Sequence, residues 1–208
     1  MTVTRGRIDK RQAILGAAFT VFARDGYRPA SVDAVAAAAG VAKHTIYNHF
    51  GDKESLFRAT VAALTAESLT RNLAAVDLLR LPTGAEDLAA VLSKVGLRLA
   101  ECYCDERSQA CRRLLQAEIQ NLPDLQDIVR EGATDKVNEA LADRFARLAL
   151  AGQLRLTDPA VAAEQFGALL TAPLETRSRL GSRPVPAAEL TEVTQNAVQT
   201  FLRAFGND

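Results

Sequence analysis

The segment that most constrains this 208-residue chain is Ser31–Phe57, SVDAVAAAAGVAKHTIYNHFGDKESLF. Ser31 can cap a helix, because its hydroxyl oxygen can accept an N–H that the first helical turn leaves unbonded. Val32, Val35 and Ala36 then share one helical face, and Ala36 is small where two helices must cross. Gly40 supplies the left-handed backbone that ends a helix and permits a tight turn. Val41 is an apolar plug, and Ile46 with Phe50 marks the buried side of a second helix over about 42–49. Its outward side would hold Lys43, His44, Thr45, Tyr47, Asn48 and His49, a set of cations, hydroxyls and an amide suited to phosphates and base edges. Singly these features are ordinary, since most glycines after helices are only caps and most exposed lysines only solvated. In this order over 27 residues they spell a helix-turn-helix.

Charge supports that expectation once it is read by position. The chain is neutral, with 25 Lys and Arg against 25 Asp and Glu, which alone would argue against a nucleic-acid partner. Residues 1–60, however, carry nine basic and five acidic side chains, a net +4 balanced by −4 in the remainder. A basic head on an acidic body suits a protein that meets phosphates at one end.

Ala- and Leu-rich composition without Trp, and without extended runs of Val, Ile and Thr, predicts an all-α protein. Residues 1–6 read as a basic arm. A first helix over Arg7–Asp25 has Ile14, Ala18, Val21 and Phe22 on its core face, and Gly26 stops it. Asp52 caps a fourth helix running from Lys53 to about Leu79, and Thr83–Glu86 has the spacing of a capping box for a fifth. A sixth spans about Glu106–Gln120, and a seventh continues from the Pro123 break to about Ala151, with Gly152 as its cap. Asp158-Pro159 opens the eighth, which Pro173 should bend, and a loop at Gly181–Pro186 precedes the ninth. The domains expected are a three-helix DNA-binding head over 1–52 and a six-helix body over 53–208.

The last two helices carry the longest apolar faces, with Phe166, Leu170 and Leu174 on one and Leu190, Val193, Ala197 and Phe201 on the other. These seven are the side chains expected at a homodimer interface, where two helices from each subunit make a four-helix contact. The alternative is that they close the core of their own subunit.

Catalytic equipment is hard to find. Both histidines lie in the predicted recognition helix, and no phosphate-cradling glycine loop or nucleophile elbow occurs. Cys102, Cys104 and Cys111 lack the further ligand that a metal site needs, so no metal or cofactor is expected. They read as small apolar fillers, and a thiol switch stays open only if one is exposed beside Arg107 or Arg112. No apolar run approaches the ~18 residues of a membrane span and no signal peptide is visible, so the expected compartment is the cytoplasm.

The residues RQAILGAAFTVFARDGY, SVDAVAAAAGVAKHTIYNHF and GDKESLF, from Arg11 to about Val61, resemble a TetR-family transcriptional regulator. Two positions depart from that pattern: Ala42 stands where the family usually has Ser, and His44 where many members have a small residue. The runs RRLLQAEIQNLPDL and GQLRLTDP more loosely resemble regulatory domains of the AcrR and AefR type. The resemblance implies that Lys43 and His44 reach base edges, and that Ser31, Thr45, Tyr47, His49 and Lys53 bind phosphates. It also implies a homodimer on an inverted-repeat operator in double-stranded DNA, acting as a repressor. The effector pocket it implies would be mainly aliphatic here, because residues 65–185 hold only Tyr103, Phe145 and Phe166 as aromatics. That composition favours a small apolar or amphipathic effector. An activator, or a regulator without a small-molecule effector, is the alternative; an enzyme or protein-interaction module on a helical fold is a remote one.

Overall fold

The computed structural model describes residues 2–82 and 87–207. Among these residues it is helical, with one isolated antiparallel bridge, Leu154 to Gly206, in place of any sheet. The helices are α1 (Thr2–Asp25), α2 (Val32–Ala39), α3 (Lys43–Phe50), α4 (Lys53–Val76), α5 (Leu88–Cys104) and α6 (Glu106–Glu118). There follow α7 (Asp124–Val129), a π-helical turn (Arg130–Thr134), α8 (Asp135–Leu150), α9 (Pro159–Arg177) and α10 (Ala187–Phe205). The seventh helix expected from sequence is therefore α7, the π turn and α8 in unbroken succession, with the weak helix former Gly132 in the turn.

Several boundaries move. Helix α1 begins at Thr2, so residues 2–6 of the expected basic arm are helical. Helix α4 ends at Val76, where the amides of Leu78 and Leu79 turn to the tighter carbonyls of Ala75 and Val76. Helix α5 starts at Leu88, its N-cap Asp87 accepting the Ala90 amide at 2.7 Å. The capping box expected at Thr83–Glu86 lies outside the described residues. Other punctuation is as expected: Asp158 accepts the Ala160 and Val161 amides ahead of Pro159, and Gly152 adopts φ 72° beyond α8.

The chain divides into two compact units. The first takes residues up to Ala66 together with Ala110–Val129, and the second takes Glu67–Gln109 and everything from Arg130 onward. Packing thus draws 53–66 and 110–129 into the same unit as the three N-terminal helices.

In the first unit, Ile14, Ala18, Val21 and Phe22 of α1 meet Val35 and Ala36 of α2, Ile46 of α3 and Leu56, Phe57 and Val61 of α4, all buried. Leu114, Leu122 and Leu125 complete this core from the later segment. The Phe22 and Phe57 rings meet edge-on, their centroids 5.1 Å apart. Each such ring contributes about 1.5–3 kcal/mol by burial, enough to hold a short helix like α3 that could not persist alone.

In the second unit, α5, α8, α9 and α10 surround Phe145, Phe166 and Phe201, three fully buried rings with centroids 4.9–5.7 Å apart. Gly96 lets α5 cross closely, since a Cβ there would stand 3.0 Å from Cγ2 of Thr194. The amide of Arg155 donates to the Phe205 carbonyl at 2.7 Å, fastening the end of α10 to the loop after α8.

Candidate nucleic-acid interface

The turn between α2 and α3 is built by local chemistry. Ser31 sits in extended backbone and its Oγ accepts the Ala34 amide at 3.1 Å. Gly40 adopts φ 63° and ψ 33°, while its amide and that of Val41 return to the carbonyls of Ala37 and Ala36. Those paired bonds satisfy carbonyls that a helix end would otherwise leave open. Ala42 then begins α3 from an extended backbone, with no side-chain hydrogen bond to cap it.

Ile46 is buried and anchors α3 to the first unit. Lys43, His44, Tyr47 and Asn48 are consequently exposed together, because residues three and four positions apart share a helical side. Thr45 and His49 are half-buried at the margins of that face, and Ser31 is exposed. Phe50, expected on the buried side, is only partly covered and carries the Arg11 guanidinium 5.3 Å from its ring centroid.

Two lysines are engaged in ways that sequence did not reveal. The Lys43 ammonium donates to Oδ2 of Asp33 on α2 at 2.8 Å, and this bond makes it harder to deprotonate than usual. Lys53 donates to the Arg28 carbonyl at 2.9 Å while its ammonium stands 4.7 Å from the Tyr27 ring centroid. Burial lowers the Lys53 pKa, and the nearby Glu118 opposes that shift. Glu118 is itself buried, held by Asn121 Nδ2 at 3.2 Å and facing Arg28 Nε at 3.6 Å. Beneath this, Arg58 of α4 bonds Glu54 and grips Asp124 at the start of α7 through two guanidinium nitrogens. Arg58 thereby holds the Asp124 carboxyl below its ordinary range, and the Ser55 amide does the same for Asp52, the cap of α4. Arg58 and Glu54 stand at the i,i+4 spacing of a helical ion pair, but nothing in the sequence identifies the partners of the long-range contacts.

The seven side chains expected at a dimer interface all help to fill the subunit's own core. Phe166, Leu170, Leu174, Leu190, Val193, Ala197 and Phe201 are all buried within the single subunit, and Phe201 also borders the outer groove of α9 and α10. Helical periodicity reports an apolar face but not what covers it. On the outer side, an open groove of about 460 Å³ runs between α9 and α10, lined by Ala168, Leu169, Ala172, Pro173, Ala204 and Phe205 among others.

Cys111 is buried and its thiol is pushed up to about 11, and burial raises Cys102 as well. Burial thus disfavours the thiolate form of both, while Cys104 is half-buried. Among the described residues, no three His, Cys, Asp or Glu side chains converge as metal ligands, and no helix is long and apolar enough to cross a membrane.

This arrangement matches known proteins along nearly its whole length. The family described as "Bacterial regulatory proteins, tetR family" matches residues 14–60, and "AefR-like transcriptional repressor, C-terminal domain" matches residues 90–207. The HTH-type transcriptional repressor AcnR of Corynebacterium efficiens is 41% identical over 68 residues, 31% of this chain and 36% of AcnR. The chain thus spans about a third of that relative's length in the matched region. A TetR-family transcriptional regulator from Mesorhizobium loti superposes with a TM-score of 0.87 at 29% identity, covering 97% of this chain and 98% of the other. The flavonoid-responsive regulator FrrA superposes with a TM-score of 0.72 at 27% identity, covering 95% of this chain and 97% of FrrA.

Proposed function

The chain belongs to the TetR family of bacterial transcriptional regulators, and we propose that it is a homodimeric repressor released from an inverted-repeat operator by a small apolar or amphipathic molecule. The family consists of regulators rather than enzymes. The observation that carries the DNA-binding part is the row Lys43, His44, Tyr47 and Asn48, exposed on α3 while Ile46 fixes that helix from behind. The first turn of such a helix meets base edges, which assigns base contacts to Lys43 and His44. Ser31, Thr45, Tyr47, His49 and Lys53 are assigned to phosphates, where they supply affinity and register. The ammonium of Lys53 has three donors, so its bond to the Arg28 carbonyl leaves others for a phosphate.

One helix reads only a few base pairs, and a dimer doubles the site with half-sites about 34–36 Å apart. The outer groove of α9 and α10 supports pairing through those two helices, because its exposed apolar lining has no covering within the subunit. Repression is supported by the AefR-like match and by the repressor AcnR. The effector class is supported by the aliphatic composition of the second unit and by FrrA, whose name describes a response to flavonoids. A ligand that weakens DNA binding must itself be bound more weakly in the DNA complex by the same factor, typically about 5–150-fold.

Selection of binding sites from random-sequence duplexes, with sedimentation of the same protein, tests this reading. The expected result is a dimer and a dyad-symmetric motif with half-site centres about 10 base pairs apart. A monomer selecting an asymmetric motif would contradict it.

A further inference from the structure

We infer that the corner where α4 meets the junction of α5 and α6 binds a neutral molecule carrying a hydrogen-bond acceptor, a ketone, ester or amide oxygen on an apolar frame, with Gln109 and Arg71 as its donors. This deepens the effector reading above and rests on it. Among the described residues, three buried side-chain polar atoms have no partner: Nε of Arg71, Nε2 of Gln109 and Oγ1 of Thr194. All three belong to the second unit, and all can donate. Arg71 and Gln109 share one corner, because the Arg71 guanidinium donates at 3.3 Å to the hydroxyl of Ser108, the neighbour of Gln109.

Gln109 is enclosed. The residue is 5% exposed, and a Cβ at Gly181 would stand only 3.3 Å from its own Cβ. A buried amide N–H without an acceptor costs the folded state about 5–150-fold in its equilibrium. A position that needed only bulk would carry Leu or Met at no such cost. The charges at the corner fix which acceptor fits. Nη1 of Arg71 lies 3.0 Å from Oδ2 of Asp105, and the Ser108 hydroxyl donates to the same oxygen at 2.5 Å. The guanidinium is thus already neutralised while its Nε stays unbonded. A carboxylate ligand would meet Asp105 as a like charge in a poorly solvated place. A carbonyl oxygen offers two lone pairs and adds no charge. Both donors also sit on helices that continue into the first unit, α4 passing the division after Ala66 and α6 passing it after Gln109. A ligand held there engages backbone shared with the DNA-reading unit.

Thermal melts and DNA titrations of wild type and Gln109→Met test this, with methyl hexyl ketone and octanoate as probes of equal carbon number. Without ligand, Gln109→Met should melt about 2–4 °C above wild type, because an apolar side chain of similar length removes the unpaired amide. Methyl hexyl ketone at about fivefold excess over its Kd should raise the wild-type melt by about 2–4 °C. Octanoate at the same concentration should raise it less, and the ketone should shift Gln109→Met by less than half as much. An unliganded variant melting no higher than wild type would overturn the assignment, since the amide would then have a partner, an internal water included. So would the absence of a ketone shift, an equal shift in the variant, or a larger shift with octanoate. A ketone shift that depends on Gln109 but leaves affinity for the best selected duplex unchanged would uphold the site and overturn the effector-release reading, which separates the two failures.

Discussion

The ammonium of Lys53 stands 4.7 Å from the centre of the Tyr27 ring and donates to the Arg28 carbonyl, so the start of α4 braces the loop that leads into α2. A lysine that also reaches phosphate from this position serves two ends, fixing the loop and supplying charge. Lys53→Ala should weaken specific and random DNA binding by similar factors and lower the salt slope by about one. Tyr27→Leu removes the ring but leaves the charge, and should leave that slope unchanged. Salt titrations of both variants decide the matter; an unaltered slope in Lys53→Ala would take Lys53 off the DNA.

A second prediction concerns the two-pronged contact of Arg58 with Asp124. The guanidinium holds the Asp124 carboxyl below its ordinary value, so its folded pKa lies under the unfolded value near 3.9. The pairing therefore contributes fully above the unfolded pKa and is lost as pH falls through the folded one. Both side chains are partly exposed, which limits the contribution to about 1 kcal/mol. Urea melts should show Asp124→Asn less stable than wild type by up to that amount at pH 7, and the difference should shrink as the pH falls below the ordinary carboxylate range. A difference that persists undiminished at low pH would show that something other than charge is lost.

The third prediction separates core from interface on the last two helices. Phe201 is fully buried against Phe145 and Phe166, and Phe201→Ala should cost about 3–5 kcal/mol of stability. Ala172, exposed on the outer groove, is different. Ala172→Glu would place a charge in an apolar contact between copies and should yield folded monomers. Sedimentation at micromolar concentration with parallel thermal melts is the check. An Ala172→Glu variant that remains a stable dimer would move the interface to another surface.

The fourth concerns Ala42, where the chain departs from its family. Its φ of −74° and ψ of 147° already suit an N-cap, but the side chain has no oxygen. Ala42→Ser should therefore stabilise the first unit by about 0.5–2 kcal/mol. At the other end of the turn, Gly40→Ala meets no atom within 4 Å, so its cost is the left-handed backbone alone, about 1–2 kcal/mol. Chemical denaturation of the two variants should move in opposite directions.

These cases show which parts of the molecule local sequence encodes. Ser31, Gly40, Asp52 and Asp158 are legible because cap and turn chemistry acts within three or four residues. The core faces of α1 and α2 are legible because their periodicity is unambiguous and each helix has one side to bury. The pairs Lys43–Asp33, Lys53–Tyr27 and Arg58–Asp124 are not, since they join residues 10, 26 and 66 positions apart that meet only after folding. Leu114, Leu122 and Leu125 read as part of the body, yet they share one core with side chains of α1 to α4. Phe166 and Phe201 are, by sequence, equally consistent with an interface and with a core, because an apolar stripe does not name its partner.

The central claim is that the first turn of α3 chooses the DNA sequence, and one experiment addresses it directly. Binding sites are selected from random duplexes in parallel with wild type, Lys43→Ala and His44→Gly. Each variant should lose preference at one or two positions per half-site and bind the wild-type motif about 1–3 kcal/mol more weakly, with little change on random DNA. Motifs from both variants that are indistinguishable from the wild-type motif would contradict the claim and place sequence reading outside α3.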